Sequence, residues 1–303
     1  MSNDQHINNL FLSGKKENIQ LAFLLVSNQD DLRLPLFVEE LLGFYAWGCT
    51  LNLWRATSLT EDKTNIIVFL LELQSLHIKS NASTPITIPK GITWLPKLKE
   101  LYLEGSAFKD FPDELCQLGQ LKHLNISHTN ITDLPPTIKQ LQRLKKIRLE
   151  GKSIKTLPAA FFELENLEEL TLIDLPITHL PADIGQLQRL KVFHCLEVPL
   201  QSLPPEFAHL QQLKNLIISN AQFQEFPLCI TALSQLTYLD LYGSKLNHLP
   251  DCIDRLQALT ELELSYNERQ ELPASLGKIQ QLEFLYCTNN NLTNYLNVYA
   301  VSY

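Results

Sequence analysis

A leucine recurs every 23 residues from Leu98 to Leu282, and this unbroken period constrains the fold more than any other property of the sequence. The units share the pattern LxxLxLxxxxLxxLPxxIxxL, in which β-branched and aromatic residues replace some leucines. A fixed period of roughly 20 to 50 residues is typical of proteins built from stacked repeats. Such an array grows along one axis, so we expect one elongated domain from the 303 residues.

The order of residues within the unit predicts its secondary structure. Positions 1 to 6 alternate between leucine-like and other residues, as expected for a short β-strand with one buried face. Repetition makes the strands parallel, and a strand spacing of about 4.8 Å gives nine repeats a sheet about 40 Å long. Proline at position 15, as in Pro135 and Pro250, prevents further strand pairing and begins a return segment. Because few residues remain there, we expect 3₁₀ turns more than full helices.

The period divides the chain into three parts. Residues 1–72 are expected to form an N-terminal helical cap, in which IQLAFLLV and LPLFVEELLGFYAWG are helices. The polar residues from 1 to about 16 are expected to be frayed at their start. The alternative is an independent binding domain. Residues 73–292 contain one longer first repeat, whose strand lies in IIVFLLELQSLHI, and nine regular repeats. Residues 293–303 are expected to close the stack as a half repeat through Tyr295 and Tyr299, with no further domain after it.

The unit resembles the leucine-rich repeat in its 23-residue LPxxIxxL form, similar to intracellular repeats of plant Ras-group-related, Erbin-like and bacterial Roco-type proteins. The resemblance covers about residues 73–299. It implies an α/β fold, namely a curved solenoid with a parallel β-sheet on the concave face and 3₁₀ or turn segments on the convex face. It also implies a use in binding other proteins and does not imply a reaction.

Position 9 of the unit departs from this family, which usually has an asparagine there whose side chain bonds the backbone of the next turn. Only Asn267 and Asn290 conform. In the middle of the array Leu175 and Val198 take this position, and each is followed by a proline. We therefore expect apolar packing or water to replace the asparagine ladder in the central repeats.

Information about a partner must lie in the outward strand positions, because the leucines are buried. These positions are basic in the early repeats, apolar in the central ones, and acidic and aromatic in the late ones. A contiguous apolar patch on a solvated face indicates that something covers it, and aromatic residues and arginine are favoured in binding hot spots. The predicted partner-binding residues on the concave face are Arg148, Ile173, Val192, His194, Leu196, Ile217, Tyr238, Asp240, Tyr242, Tyr266, Phe284 and Tyr286.

A column of lysines at position 2 forms a separate feature along one rim of the predicted solenoid. We interpret it as a solvated edge whose charges limit unwanted association, and steering of an acidic partner is the alternative. Its members are Lys99, Lys122, Lys145, Lys191 and Lys214.

No motif of a phosphate loop, a nucleophile elbow, a zinc protease or a dinucleotide site occurs in the sequence. His194 and Cys195 are neighbours, but the alternation of a strand points them to opposite faces. We therefore expect a non-catalytic adaptor or scaffold that binds a protein or peptide, with no cofactor and no metal. The alternatives are a recognition arm of a multi-component effector or signalling enzyme, and a receptor-like module for a glycan or lipid.

Composition limits the partner and the compartment. The formal net charge of −8 argues against nucleic acid, and no run approaches the roughly 20 apolar residues of a membrane span. The six cysteines lack zinc-site spacing, so we expect reduced thiols in the cytoplasm. Cys229 and Cys252 share position 17 of adjacent repeats and are expected to be neighbours. We expect a monomer, with weak end-to-end dimerisation through the last strand as the alternative.

Overall fold

The computed structural model describes residues 3–27, 34–51, 53, 62–268 and 271–292. Within these residues, all strands belong to one parallel sheet in which each strand pairs with the next along the chain, as predicted for a solenoid. The strands are β1 Ser75–Lys79, β2 Glu100–Glu104, β3 His123–Ser127, β4 Lys146–Glu150, β5 Glu169–Ile173, β6 Val192–Leu196, β7 Asn215–Ser219, β8 Tyr238–Asp240, β9 Glu261–Glu263 and β10 Phe284–Tyr286.

The strands pair without a slip, so that residues one repeat apart lie side by side. Leu124 pairs with Ile147, and Ile147 pairs with Leu170. From β1 to β7 the second and fourth residues of each strand are buried, and the others point out of the core. The leucine positions therefore form continuous buried columns between the sheet and the return segments.

The return segments on the convex side are 3₁₀ helices, which confirms the prediction from position 15. A proline precedes each of them, with φ between −65° and −72°. This fixed φ suits the start of a helical turn, and the absent N–H would have no partner there. The segments are Lys90–Trp94, Asp113–Gln117, Pro136–Gln140, Ala159–Glu163, Ala182–Gln186, Pro205–His209, Leu228–Ala232, Asp251–Arg255 and Ala274–Lys278.

Helices precede the sheet, and two of them were predicted. The predicted ones are α2 and α3, whereas α1 and α4 were not expected. α1 lies in the polar stretch that was predicted to be frayed at its start, and it is held by Ile7 and Phe11, which are one helical turn apart and buried. The bounds are α1 Asn3–Leu12, α2 Lys16–Ser27, α3 Leu36–Thr50 and α4 Lys63–Glu72.

The prediction for the start of the sheet was partly wrong. Much of the apolar run IIVFLLE, expected to lead into the first strand, lies in α4, and β1 begins only at Ser75. A short apolar run fits a buried strand and a buried helix equally well. Here the side chain of Asp62 accepts a hydrogen bond from the backbone N–H of Thr64 at 2.9 Å, which caps the helix. The predicted closing half repeat with Tyr295 and Tyr299 lies outside the described residues.

Helix α3 packs directly on the first return segment and covers the start of the core. Gly91 permits this approach, because a Cβ at this residue would lie 2.1 Å from the backbone oxygen of Glu40 and 2.7 Å from Cβ of Phe44. The indole of Trp94 donates a hydrogen bond to the Glu40 carboxylate. The ring centroids of Trp94 and Phe37 are 5.4 Å apart.

Each regular repeat turns away from the sheet through a residue at position 8 with a positive φ. Outward placement of position 8 was predicted, but this left-handed conformation was not. Six of the nine residues are Gly, Asn or Asp, which adopt it most readily. The residues are Gly105, His128, Gly151, Asp174, Glu197, Asn220, Gly243, Tyr266 and Asn289.

At Asn267 and in the central repeats, the residue at position 9 is buried in two different ways. Asn267 donates from Nδ2 to the backbone oxygens of Leu241 at 2.8 Å and Leu264 at 2.9 Å, and its Oδ1 accepts from the N–H of Leu246 at 2.9 Å. In the central repeats apolar side chains in the core replace this network, as predicted. These side chains are Leu175, Val198 and Ala221.

Replacing Gly91 by alanine is expected to lower the free energy of unfolding by about 1–3 kcal/mol, because the new methyl group overlaps backbone atoms of α3. Gly43 on the same helix provides a matched control, since no atom lies within 4 Å of its missing Cβ. Gly43→Ala should raise the free energy of unfolding by about 0.5–1 kcal/mol. Urea unfolding measures both changes, and equal effects would contradict the contact described above.

Replacing Asn267 by alanine should lower the free energy of unfolding by about 2–3 kcal/mol, because buried backbone groups lose their partners. The exposed Asn247 offers a control, and Asn247→Ala should change the value by less than about 0.5 kcal/mol. Thermal unfolding followed by circular dichroism measures the difference. A loss of under about 0.5 kcal/mol in Asn267→Ala would contradict a stabilising network at position 9.

Candidate functional site

The outward side chains of the strands form three rows across the concave face, at positions 3, 5 and 7 of the repeat. The strand register fixes each row, because a residue pairs with its equivalent in the next repeat. All predicted partner-binding residues from Arg148 to Tyr286 belong to this face, with Tyr266 at the turn just after β9. The rows bring the central residues together and the late residues together, but they leave Arg148 apart from both groups.

In the N-terminal part of the concave face, basic side chains form ion pairs with glutamates. Arg148 lies 2.6 Å from the Glu150 carboxylate, and Lys146 lies 2.7 Å from that of Glu169. The Glu104 carboxylate contacts both His77 and Lys79. Glutamates therefore neutralise much of the basic band that the sequence indicated. The sequence interpretation overlooked them because it considered the basic residues without their neighbours one strand away.

The rim lysines are also partly paired. Lys145 and Lys191 both contact the carboxylate of Glu168, at 2.7 and 2.8 Å. These two hydrogen bonds lower the pKa of Glu168 to about 2. Glu168 occupies position 2 in the one repeat where the lysine column is interrupted. The middle of the rim is thus a bridged lysine–glutamate–lysine group and not a line of unpaired ammonium groups.

A shallow cleft of about 230 Å³ lies between these paired charges. Its walls include Tyr102, Asn125 and Thr171. The side-chain oxygen of Asn125 is buried and has no hydrogen-bond partner among the described residues. This cleft could not be predicted from the sequence, because an asparagine in an outward row is ordinary.

The middle of the concave face carries the central patch, which consists of Ile173, Val192, His194, Leu196 and Ile217. Ile173 pairs with Leu196 in the row at position 7, and His194 pairs with Ile217 in the row at position 5. All five side chains are half-buried. His194 is held by Asn215, whose Oδ1 lies 2.9 Å from its Nε2.

The C-terminal part of the face carries an acidic aromatic patch, which consists of Tyr238, Asp240, Tyr242, Glu261, Glu263, Tyr266, Phe284 and Tyr286. Burial raises the pKa of Asp240. The backbone N–H of Tyr242, which donates a hydrogen bond to Oδ1 of Asp240 at 2.8 Å, lowers this pKa, and the neighbouring charges of Glu263 and Glu261 raise it. Burial and these carboxylates raise the pKa of Tyr238 to about 12. Among the described residues, no lysine or arginine lies within 4.0 Å of the three carboxylates.

Aromatic rings give this patch its exposed surface. Tyr266 is 55% exposed, and Phe284 and Tyr286 are each 43% exposed. The ring centroids of Tyr242 and Tyr266 are 4.9 Å apart, with an angle of 42° between the planes. The sequence indicated an acidic and aromatic group in the late repeats, and the strand register brings these residues together.

Cys195 is buried in the core, which raises its pKa, and it does not share a face with His194, as predicted. Burial likewise raises the pKa of Cys229 to about 11. Across the described ranges there is no cluster of three His, Cys, Asp or Glu side chains that could hold a metal ion. None of the described helices is long and apolar enough to cross a bilayer.

Comparisons with known proteins agree with this architecture. The leucine-rich repeat family profile matches residues 119–177. The ectodomain of the plant receptor kinase GASSHO1/SCHENGEN3 of Arabidopsis thaliana is 25% identical over 72% of this chain and 30% of that chain, with a TM-score of 0.51. The Toll–Spatzle complex of Drosophila is 21% identical over 74% of this chain and 34% of that chain, with a TM-score of 0.61. A leucine-rich repeat protein of Leptospira interrogans is 26% identical over 78% of this chain and 76% of that chain, with a TM-score of 0.42.

A search of curated proteins found no significant match. The chain spans about a third of the length of the two receptor structures it resembles. The period of the leucines, the single parallel sheet with 3₁₀ return segments and the family profile nevertheless agree on one assignment. This chain is a leucine-rich repeat protein.

Proposed function

We propose that this protein is a non-catalytic adaptor or scaffold that binds a protein or peptide on its concave face. The observation that carries the proposal is the central patch, where apolar side chains occupy outward positions on three adjacent strands. Leucine-rich repeats are common protein-binding modules, and the GASSHO1/SCHENGEN3 ectodomain is in complex with CASPARIAN STRIP INTEGRITY FACTOR 2.

The contrast between the early strands and the middle of the sheet supports this proposal. On the outward side of a solvated sheet, polar residues are expected to alternate with the buried ones. Strands β2 to β4 follow this rule, because their outward residues are polar, charged or tyrosine. In β5 to β7 the outward residues include Ile173, Leu196 and Ile217. Burial of these side chains by a partner would lower the free energy of the complex. A contiguous group of this kind is typical of an interaction site.

We further propose a cytoplasmic monomer in which residues 1–72 act as a cap for the first repeat. Cys116 and Cys195 are buried free thiols, which suits a reducing compartment. Helix α3 covers the start of the core through Phe44, which is fully buried. The net charge of −8 favours a protein over a nucleic acid as the partner.

The double variant Ile173→Asp/Ile217→Asp should reduce partner capture from the source cell at least tenfold, because it places two carboxylates in the interface. Affinity capture with quantitative mass spectrometry measures the loss. Leu228→Asp is the matched control, since Leu228 is an aliphatic residue on the convex side and is 61% exposed. Its partner set should equal that of the unchanged protein.

Circular dichroism must show that both proteins retain the fold. Identical partner sets for the folded double variant and the unchanged protein would contradict binding through the central patch. Loss of partners in Leu228→Asp alone would transfer the site to the convex side.

A further inference from the structure

The acidic aromatic patch has a geometry that suits a cationic group. Asp240 pairs with Glu263 across β8 and β9, and Glu261 lies two residues before Glu263 on the same face. Adjacent strands are about 4.8 Å apart, so one ligand group can reach more than one of these carboxylates. Phe284 pairs with Glu261, and Tyr286 pairs with Glu263, on the last described strand. The carboxylates are therefore bordered by aromatic rings.

Charge distinguishes this patch from the rest of the concave face. In the N-terminal part, carboxylates such as Glu104, Glu150 and Glu169 each contact a basic side chain. In the acidic aromatic patch, neither Asp240 nor Glu263 has such a contact among the described residues. Burial already raises the pKa of Asp240, which means that its charged form is held in an unfavourable environment. A cation supplied by another molecule would relieve the repulsion between the carboxylates.

The aromatic rings make an organic cation a better fit than a metal ion. The face of a tyrosine ring attracts a guanidinium or ammonium group, and the planar guanidinium also stacks on the ring. Carboxylates bind the same guanidinium through paired hydrogen bonds. We propose that the acidic aromatic patch binds an arginine-containing basic segment of the protein partner. This inference rests on the proposed function and adds the chemistry of the partner to it.

Tyr266 adds an exposed ring to this patch from the left-handed turn at position 8. Its φ of +58° lies in the left-handed region, which is unfavourable for a bulky side chain, and its ring is 55% exposed. Asn289 and Gly243 occupy the same position in the adjacent repeats without this strain.

The first test uses synthetic peptides with the full chain. The probe is a labelled peptide of alternating arginine and leucine, and its matched control has citrulline in place of arginine, which keeps the shape and removes the charge. Fluorescence anisotropy should show at least tenfold tighter binding of the arginine peptide, and this difference should shrink as salt is added. Equal binding of the two peptides, or no binding of either, would overturn the inference.

The second test separates the patch from the overall negative charge. Asp240→Asn/Glu263→Gln should weaken binding of the arginine peptide at least tenfold. The control Asp251→Asn/Glu225→Gln removes the same charge from exposed residues on the convex side and should change affinity less than twofold. Equal weakening by both variants would show nonspecific attraction to an acidic protein and would overturn the inference.

The third test uses the strain at Tyr266. Tyr266→Asn should weaken binding of the arginine peptide at least threefold while it raises the melting temperature, because asparagine tolerates a positive φ better. His128→Asn is the matched control, since His128 has φ +53° at the same position of a distant repeat. It should leave peptide affinity unchanged. Unchanged affinity in Tyr266→Asn would remove this residue from the site and count against the patch.

Partner capture distinguishes the failure of this inference from the failure of the proposed function. Loss of partners in Ile173→Asp/Ile217→Asp but full retention in Asp240→Asn/Glu263→Gln would support concave-face binding and overturn the basic segment as the ligand. Loss of partners in both variants, together with selectivity for arginine over citrulline, would support both. Retention in both variants would overturn both.

Discussion

Parallel pairing between residues one repeat apart is the constraint on which the rest of the structure depends. A slip of one residue between neighbouring strands would turn the leucines of one strand towards water and its polar residues towards the core. Because the register is kept from β1 to β10, the leucines form one continuous core, and the outward residues form rows. The same strand pairing therefore determines both the buried core and the rows of outward residues.

The rows explain why neighbouring parts of one face have different chemistry. Residues in a row contact their equivalents, so a lysine at position 3 of one repeat meets the glutamate at position 3 of the next, as with Lys146 and Glu169. Where the row continues as Tyr238 and Glu261, no such compensation occurs among the described residues. The surface therefore changes from internally neutral to negative along its length, although its geometry hardly changes.

Much of the fold could be predicted from the sequence because a repeated pattern gives the same information many times. The strands, the 3₁₀ segments after proline and the apolar replacement at position 9 follow from residues such as Pro135 and Leu175. Helix α4 could not be predicted in this way, because the run from Ile66 to Glu72 occurs only once and fits both a buried strand and a buried helix. The left-handed turn at position 8 was missed because His128 and Glu197 obscure the pattern of glycine, asparagine and aspartate.

The candidate site was predictable as a set of residues but not as a set of contacts. Alternation along a strand was enough to place Ile217 and Tyr286 on the concave face. The contacts depend on side-chain geometry that the sequence does not contain. Arg148 pairs with Glu150, whereas Asp240 has no basic partner among the described residues. Among the described residues, the lack of a basic partner for these carboxylates, and not charge alone, separates the acidic aromatic patch from the early repeats.

The change at position 9 also has a mechanical consequence. The hydrogen bonds of Asn267 have defined directions and hold neighbouring turns at one spacing. Leu175 and Val198 are held by apolar contacts, which have no preferred direction and allow small shifts between turns. The solenoid should therefore be stiffest near its C-terminal repeats and most compliant in its middle. A ligand that spans both regions would contact rigid repeats near the C-terminus and repeats in the middle that can adjust their positions.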